Sequence, residues 1–379
     1  MEKIRICHVV NIITGKSDGV YAHLKMLFKY IDSAKFEQFL VFQGDPNIEA
    51  ELKGLGITVH AMPLLKKKFS IRSFLDLYRF LKENEISIIQ AHLMKPYVLV
   101  GIVNLFLRRK AIFNYHGSFV KNREYYTSLE ELSYRIAHLV VYACRSYQCI
   151  VVPSQASRRL LMAETRLLPP VEVYYNGGTL EDNGVSKDSD LDIIRKLAPE
   201  KHRIGIISRF EPEKRIDLAL QIAQQLLSRR KDVHFFILGD GVLEARMNHL
   251  AAELQVTGGV SMLGFVANAR TYLPAFDAVL LTSDREGLPF IIWEAMEKGV
   301  PIVASDVGGV REIVEGEKCG RVYPRRDIAA AVAILDQLLS DEAMRKNMGR
   351  NGRSAIEHKY NERVFAEKFE SIYFNVLKA

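Results

Sequence analysis

Cysteine is scarce in this sequence, and its spacing excludes the usual disulfide and metal motifs. The 379 residues include four cysteines, no two of which form a C-x-x-C pair, and no cluster of histidines stands beside them in the sequence. Structural zinc sites need closely spaced ligand pairs, and small secreted folds need denser cysteines. We therefore predict reduced thiols in a cytoplasmic protein, and no metal site.

Long apolar runs are also absent. The longest extends from Tyr97 to Leu107, about half of the roughly 20 residues that a membrane-spanning helix requires, and a buried helix explains it better. Residues 4–10 have the pattern of a β-strand rather than that of the apolar region of a signal peptide. Both observations favour a cytoplasmic location.

Motifs of the common nucleotide-binding enzymes are missing. A dinucleotide oxidoreductase would carry G-x-G-x-x-G after its first strand, whereas residues 14–19 read T-G-K-S-D-G. No Walker A loop occurs, which argues against a P-loop ATPase. The chain also lacks helix-turn-helix, RNP and zinc-finger patterns, so we predict no nucleic-acid partner.

The positive charge is concentrated in the first half of the chain. The net charge is +7, and residues 1–180 hold 24 Lys and Arg against 15 Asp and Glu, which gives +9 there and −2 in the remainder. A basic half suggests an anionic partner, such as a phosphorylated acceptor or an anionic membrane surface. A merely solvated basic surface is the alternative.

Short apolar runs alternate with amphipathic segments along the whole chain, including a predicted helix at 128–147. This alternation is typical of βαβ units and parallel sheets, and it stops at 181–190, which has almost no apolar residues. A single core rarely grows beyond about 250–300 residues. We predict an α/β fold with Rossmann-like domains at 1–180 and 190–359, and a C-terminal helix at 360–379 that packs back on the first domain. Ligands of such sheets bind beyond the carboxyl ends of the strands.

The segment 283–299 carries the strongest chemical signal. It follows an apolar strand-like run, and Pro289 stands where a helix would begin, a favoured place for proline. Glu286 therefore falls in the strand-to-helix loop. The N–H groups of Gly287 and Leu288 would be available there to an anion. Alone, Glu286 could equally be a solvated loop residue.

Glu294 lies on the predicted helix among apolar neighbours. A carboxylate in such a place needs a hydrogen-bond partner, and two adjacent sugar hydroxyls can supply one. The alternative is a first-turn carboxylate stabilised by the helix dipole.

A second charged segment spans residues 206–215. Arg209 at a strand end and Lys214 at a helix start would converge on one point. Two such cations can clamp a diphosphate and stabilise it as a leaving group. Ordinary surface ion pairs are the alternative.

Glu286 and Glu294, with seven residues between them and Gly-Leu-Pro after the first, resemble the signature of retaining GT-B glycosyltransferases, and of glycosyltransferase family 4 in particular. The run 299–312 is similar to the same family. The resemblance covers nearly the whole C-terminal half and, more weakly, the N-terminal half. It implies two Rossmann-like domains with parallel sheets facing a central cleft, the first for the acceptor and the second for a nucleotide-sugar.

The resemblance also implies roles for individual residues. In the family the first glutamate contacts the transferred sugar and the second holds the ribose hydroxyls, and Arg209 and Lys214 match its cation pair, although Arg215 stands where the family usually has glycine. The donor-binding residues that it implies are Gly19, Arg209, Lys214, Gly239, Val266, Glu286, Gly287, Leu288 and Glu294.

In the first domain the resemblance makes His116 a catalytic residue that faces the donor sugar, beside Glu286, Arg209 and Lys214. His92 and Asp18 are assigned to the acceptor. Asp18 occupies a position where the family's loop commonly has glycine.

The implied reaction transfers a hexosyl-type sugar from a UDP- or GDP-sugar to a sugar or lipid-linked acceptor with retention of configuration, in polysaccharide or glycolipid biosynthesis. It requires no cofactor and no metal, because the two cations stabilise the leaving diphosphate. The basic and apolar segment 64–72 suggests peripheral contact with the inner face of an anionic membrane, and a solvated loop is the alternative. A nucleotide-sugar epimerase of the same fold and a non-catalytic nucleotide-sugar-binding partner subunit remain competing hypotheses.

Overall fold

The computed structural model describes residues 2–13, 15, 18–62, 71–116, 145–164, 168–180 and 188–378. They form two compact units, Met1–Tyr175 together with Glu362–Ala379, and Asn176–Asn361. Each unit is built on one parallel sheet with helices around it, so the predicted α/β fold with two parallel-sheet domains is confirmed. The predicted helix at 128–147 and linker at 181–190 lie largely outside the described residues.

The first unit has a seven-stranded sheet in the order β3-β2-β1-β4-β5-β6-β7. Its strands are β1 Ile4–Val9, β2 Phe36–Phe42, β3 Thr58–Ala61, β4 Ile88–His92, β5 Lys110–Asn114, β6 Cys149–Val152 and β7 Val171–Val173. Its helices are α1 Gly19–Tyr30, α2 Pro46–Gly54, α3 Ile71–Glu83, α4 Met94–Leu107, α5 Gln155–Glu164 and, from the end of the chain, α13 Glu362–Lys378.

Helix α13 belongs to the core of the first unit. Its side chains Phe365, Phe369 and Tyr373 are buried with Ile6 and Ile88 of the central strands. Burying an aromatic side chain of this size stabilises a fold by roughly 2–3 kcal/mol. The chain therefore completes its first core with its last helix.

The second unit has a six-stranded sheet in the order β10-β9-β8-β11-β12-β13. Its strands are β8 His202–Ile207, β9 Val233–Leu238, β10 Val260–Gly264, β11 Ala278–Leu281, β12 Ile302–Ser305 and β13 Gly320–Tyr323. Its helices are α6 Asp188–Leu197, α7 Ile216–Arg229, α8 Glu244–Glu253, α9 Phe290–Glu297, α10 Val310–Val314, α11 Ile328–Ser340 and α12 Glu342–His358, with 3₁₀ turns at Pro212–Lys214 and Ala269–Ala275.

Both sheets have the strand order of a Rossmann fold. Counted within its own unit, each sheet places its fourth strand beside its first, so the order reverses between β1 and β4 and between β8 and β11. Ligands of open α/β sheets bind beyond the strand ends at such a switch point. The loops after these four strands are therefore where functional side chains should be sought.

Two further expectations concern composition. Cys7, Cys149 and Cys319 are buried free thiols, and Cys144 lies outside the described residues. No helix in the described part of the chain combines the length and the apolar character that a membrane span requires.

Candidate active site

At the switch point of the second unit, Lys214 and Glu286 form an ion pair. Lys214 ends the 3₁₀ turn after β8, and Glu286 lies in the loop after β11. The distance from Lys214 Nζ to Glu286 Oε1 is 2.6 Å, and the Ser283 hydroxyl donates to the same oxygen at 2.7 Å. The two side chains are only 18% and 11% exposed. The structure thus brings together two residues that were predicted to share one site.

The loop that carries Glu286 is anchored by a buried carboxylate that the sequence analysis did not identify. Asp284 is 1% exposed and accepts hydrogen bonds from Arg326 and Arg215, at 2.6 Å and 2.9 Å. Burial alone would raise the pKa of Asp284, but the two guanidinium groups outweigh it and lower the pKa below its ordinary value. Asp284 therefore stays ionised and holds the loop from beneath.

Backbone contacts fix the same loop from the other side. Gly308 has a φ of +54°, and a Cβ atom there would lie 2.1 Å from the carbonyl oxygen of Glu286. Gly309 donates its N–H to the carbonyl of Gly287 at 2.8 Å. Only glycine permits this conformation together with this close approach. The glycines of the family-like run 299–312 thus position the Glu286 loop.

The loop leaves backbone donors available where helix α9 begins. Within the described part of the chain, the N–H groups of Gly287 and Leu288 donate no hydrogen bond, and Pro289, which has none to donate, precedes the first helical residue. Amides at a helix N-terminus favour an anion. Arg209 is exposed, and its guanidinium has no ion-pair partner among the described residues.

The other predicted donor-side loops adjoin the loop of Arg209. Gly239 has a φ of +140°, and a Cβ atom there would lie 1.9 Å from the carbonyl oxygen of Ser208. The N–H of Gly239 donates to the carbonyl of Gly264 at 2.8 Å, and Val266 follows two residues later, partly buried. The turns after β8, β9 and β10 are therefore in contact.

Glu294 is the fifth residue of α9, beyond its first turn, so the alternative of a first-turn carboxylate stabilised by the helix dipole is wrong. It is partly buried on α9, and no described residue forms a hydrogen bond with its carboxyl group. Burial raises its pKa to about 7, while the charge of Arg270 acts to lower it and that of Glu297 to raise it. The group is thus half ionised near neutral pH and retains its hydrogen-bonding capacity.

In the first unit, His92 and His116 belong to a buried cluster of histidines. His92 Nδ1 lies 2.8 Å from His116 Nε2, and His92 Nε2 lies 3.0 Å from His8 Nδ1. His8 Nε2 in turn lies 2.8 Å from Oε1 of Gln38. His23 is adjacent, and it offers a ring nitrogen that lies within 4.8 Å of those of His92 and His116.

The sequence analysis missed His8, His23 and their neighbour Asn114. A signal was available, because strands of a parallel sheet that is buried on both faces are almost continuously apolar. His8 and Asn114 interrupt such strands and are fully buried. Asn114 Nδ2 lies 2.9 Å from His23 Nε2.

Asp18 and Gly19 have local roles at the start of α1. Asp18 is the N-cap residue, and its carboxylate accepts a hydrogen bond from the N–H of Val20 at 2.8 Å, a contact that stabilises a helix by about 1 kcal/mol. Gly19 is the exposed first residue of the helix. Contact of Asp18 and His92 with an acceptor, and of Gly19 with the donor, stay predictions.

Two Rossmann-ordered units with charged or histidine side chains at their switch points define a class of ligand-binding α/β proteins. Two family models match the chain: "Glycosyltransferase Family 4" over residues 17–181 and "Glycosyl transferases group 1" over residues 190–355. The chain belongs to the glycosyltransferases, a family of enzymes, and the resemblance seen in the sequence is confirmed.

Individual relatives agree with this assignment. The chain is 28% identical over 172 residues to N-acetyl-alpha-D-glucosaminyl L-malate synthase of Bacillus anthracis, an alignment that spans 45% of each chain. It is 21% identical to the capsular polysaccharide biosynthesis glycosyltransferase CapM of Staphylococcus aureus, over 84% of this chain and 85% of that one. The matched region thus spans less than half of the first relative.

Among solved structures, the fold is similar to that of Anabaena Alr3699/HepE, which was crystallised in complex with UDP. The TM-score is 0.81 at 19% identity, and the match covers 98% of this chain and 100% of that one. At this identity the likeness establishes the GT-B fold alone.

Proposed function

We propose that this protein is a retaining glycosyltransferase that moves a hexosyl-type sugar from a UDP- or GDP-sugar to a sugar or lipid-linked acceptor, in the synthesis of a cell-surface polysaccharide or glycolipid. The observation that carries the proposal is the Lys214–Glu286 ion pair. Glu286 lies in the loop whose Gly287 and Leu288 amides donate no hydrogen bond to any described residue. The sugar-nucleotide ligands of Alr3699/HepE and the polysaccharide context of CapM support the chemistry.

In the proposed complex, the diphosphate of the donor lies at the amides of Gly287 and Leu288. Arg209 and Lys214 neutralise the charge that develops as the bond from the anomeric carbon to the diphosphate breaks. Glu286 accepts hydrogen bonds from hydroxyls of the transferred sugar. Glu294 accepts them from the ribose.

Retention of configuration follows if the acceptor hydroxyl attacks from the face that the diphosphate leaves. The new bond then forms between the acceptor oxygen and the anomeric carbon, and the proton of the acceptor passes to an oxygen of the leaving diphosphate. No protein base and no divalent metal enter this scheme, because the two cations stabilise the leaving group.

A thermal-shift panel of UDP-, GDP- and ADP-sugars tests donor binding. We expect one nucleotide class, at about a hundred times its dissociation constant, to raise the melting temperature by about 3–6 °C. Arg209→Ala should lose most of this shift, whereas Arg350→Ala, a change at an exposed arginine on α12, should keep it. If none of the nucleotide-sugars stabilises the wild-type protein, the proposed function is wrong. Where a donor does bind and its sugar is transferred, NMR of the product reports the anomeric configuration and so tests retention.

The surface of the first unit supports the predicted contact with an anionic membrane. The side chains of Ile71, Leu75 and Phe106 are 77%, 44% and 66% exposed, and the Phe106 ring packs on that of Phe74 at 5.5 Å, which joins α3 to α4. Basic residues, among them Arg72, lie on α3 together with Ile71 and Leu75. Apolar and basic side chains together favour an anionic bilayer surface. Of the predicted segment 64–72, only Ile71 and Arg72 are among the described residues.

Vesicle sedimentation tests the membrane contact. The wild-type protein should sediment with vesicles that contain phosphatidylglycerol, and much less with pure phosphatidylcholine. The double variant Leu75→Ser, Phe106→Ser should lose roughly 30-fold or more in partitioning, because insertion of each side chain would contribute roughly 1–2 kcal/mol. Val242→Ser, at a residue of the second unit that is 78% exposed, is the control. Equal sedimentation of the wild type and the double variant would show that this surface does not bind lipid.

A further inference from the structure

The histidine cluster of the first unit is a directed chain of hydrogen bonds. The Gln38 carboxamide is oriented with Oε1 toward His8 Nε2, 2.8 Å away, while its own Nε2 is buried and donates to no described residue. Because an amide oxygen can only accept, this orientation places the proton of His8 on Nε2. A neutral imidazole carries one proton and one lone pair. His8 Nδ1 therefore accepts, and the hydrogen of the 3.0 Å contact comes from Nε2 of His92.

The same reasoning applies to the last contact of this hydrogen-bonded series, between His92 and His116. Because His92 donates through Nε2, its Nδ1 is the acceptor of the 2.8 Å contact, and His116 Nε2 is the donor. Nδ1 of His116 is then unprotonated, and its lone pair can accept a hydrogen bond. No described residue forms a hydrogen bond with that atom, and His116 is the one ring of the three in the chain that is partly exposed.

Burial keeps these rings neutral. Burial lowers the pKa of His8 to about 3, although the bond to Gln38 acts to raise it, and it lowers the pKa values of His92 and His116 well below their ordinary value, with further contributions from neighbouring histidines. A single proton per ring is therefore maintained at neutral pH, and the order of donors and acceptors is not broken by an imidazolium.

We propose that Gln38, His8 and His92 are positioning residues that fix the tautomer of His116, so that its Nδ1 can accept a hydrogen bond from a substrate hydroxyl but cannot donate to a phosphate or carboxylate oxygen. The inference rests on the proposed function for the identity of the substrate, since a sugar is the class of ligand that presents such hydroxyls. The tautomer assigned to His116 does not depend on the proposed function. The hydrogen bonds from Gln38 through His8 and His92 thus determine which ligand groups His116 can bind, although these three residues do not contact the ligand.

A metal ion on His23, His92 and His116 is the competing use of these rings, because their nitrogens lie within 4.8 Å of one another. Two nitrogens that bind one zinc ion at about 2.0–2.1 Å each must both direct lone pairs at it. The 2.8 Å contact between His92 and His116 instead requires a hydrogen between the two nitrogens. No carboxylate is among the three side chains to offset a divalent charge in this buried position.

Nitrogen-15 NMR of the histidine-labelled full-length protein tests the tautomer directly. In the wild type, His8, His92 and His116 should each show a protonated, pyrrole-type Nε2 and an unprotonated, pyridine-type Nδ1. Gln38→Leu should convert His116 to a mixture of tautomers. The matched control is Gln90→Leu, because Gln90 is also buried, lies in β4 on the other side of β1, and accepts a hydrogen bond from Tyr373 instead of from a histidine.

Kinetics give the second measurement. We expect Gln38→Leu to lower kcat/KM about five- to tenfold, the effect of one neutral hydrogen bond, and Gln90→Leu to leave it within about twofold. A merely structural role would give both variants the same loss.

Several results would overturn the inference. A protonated Nδ1 on His116 in the wild type would reverse the chain, and an unchanged His116 signal in Gln38→Leu would remove its cause. Zn²⁺ that shifts the signals of His23, His92 and His116 together at stoichiometric concentration would favour the metal site. If Gln38→Leu does not fold, the wild-type spectrum alone decides. If the protein transfers no sugar, the spectra still decide the tautomer, so failure of the proposed function is distinguishable.

Discussion

Replacing Lys214 with methionine should lower turnover by about two to three orders of magnitude, the usual effect of removing one group that stabilises transition-state charge. The Nζ atom lies 2.6 Å from Glu286 in a mostly buried pair, so the change has two consequences. It removes the cation proposed to meet the leaving diphosphate. It also leaves a mostly buried carboxylate whose remaining donor, among the residues that the structure describes, is the Ser283 hydroxyl. Methionine preserves most of the volume of the lysine stem, which limits loss of packing.

Steady-state kinetics with the identified donor and acceptor measure this effect, and Lys346→Met is the control because Lys346 is 71% exposed in an ordinary i,i+4 pair on α12. Glu286→Gln and the double variant Lys214→Met, Glu286→Gln complete a double-mutant cycle in the free energy of unfolding. Because a mostly buried carboxylate that loses its paired cation is penalised, the double variant should be destabilised by less than the sum of the two single variants. Near-normal turnover of Lys214→Met would show that Lys214 is a structural partner of Glu286 and not part of the chemistry.

The position of the second-unit site could be predicted because it depends on local order. Lys214 and Glu286 each follow a short apolar strand, and parallel strands bring their carboxyl ends to one edge of a sheet. The proximity of β8 and β11 makes neighbours of residues that are 72 positions apart. That step needed only the strand order of the fold, which the resemblance to the glycosyltransferases implied.

Asp284 could not be assigned in the same way, because its partners depend on tertiary packing. Arg326 comes from the segment after β13, and Arg215 adopts a left-handed conformation with φ of 53° and ψ of 47°. That conformation costs a non-glycine residue about 1–2 kcal/mol. The ion pair with Asp284 offsets the cost, so the arginine in place of the family's glycine has a structural reason that sequence spacing does not reveal.

The histidine cluster shows a different limit. His92 and His116 were named because they follow strands, whereas His8 lies inside β1 and His23 inside α1. A single buried polar residue in a strand has no visible partner in the sequence. Only the register of β1 beside β4, which pairs His8 with Gln90 and Val9 with Ala91, shows that these polar side chains belong to one layer.

The affinity for the donor nucleotide should depend strongly on pH through Glu294. Its pKa of about 7 lies above the ordinary 4.5, and the ionised carboxylate is the form that accepts two hydrogen bonds from ribose hydroxyls. Affinity should therefore rise about tenfold per pH unit below 7 and level off above it. Calorimetric titrations from pH 5.5 to 8.5 should also detect proton release on binding at the acidic end.

The raised pKa of Glu294 has the opposite effect on stability, because the free energy of unfolding should fall as the pH rises. A carboxyl group whose pKa is raised by folding contributes fully below pH 4.5, and its contribution is lost as pH rises through 7. Glu294→Gln should match the wild type near pH 4 and exceed it at pH 8 by on the order of 2–3 kcal/mol in the free energy of unfolding, while binding the donor more weakly and without the pH slope. Glu297→Gln should move the midpoint to lower pH, because the Glu297 charge is one cause of the raised pKa, and Glu253→Gln, at a residue that is 57% exposed, should leave it unchanged. A wild-type profile that Glu294→Gln reproduces would assign the titration to another group and remove Glu294 from the ribose site.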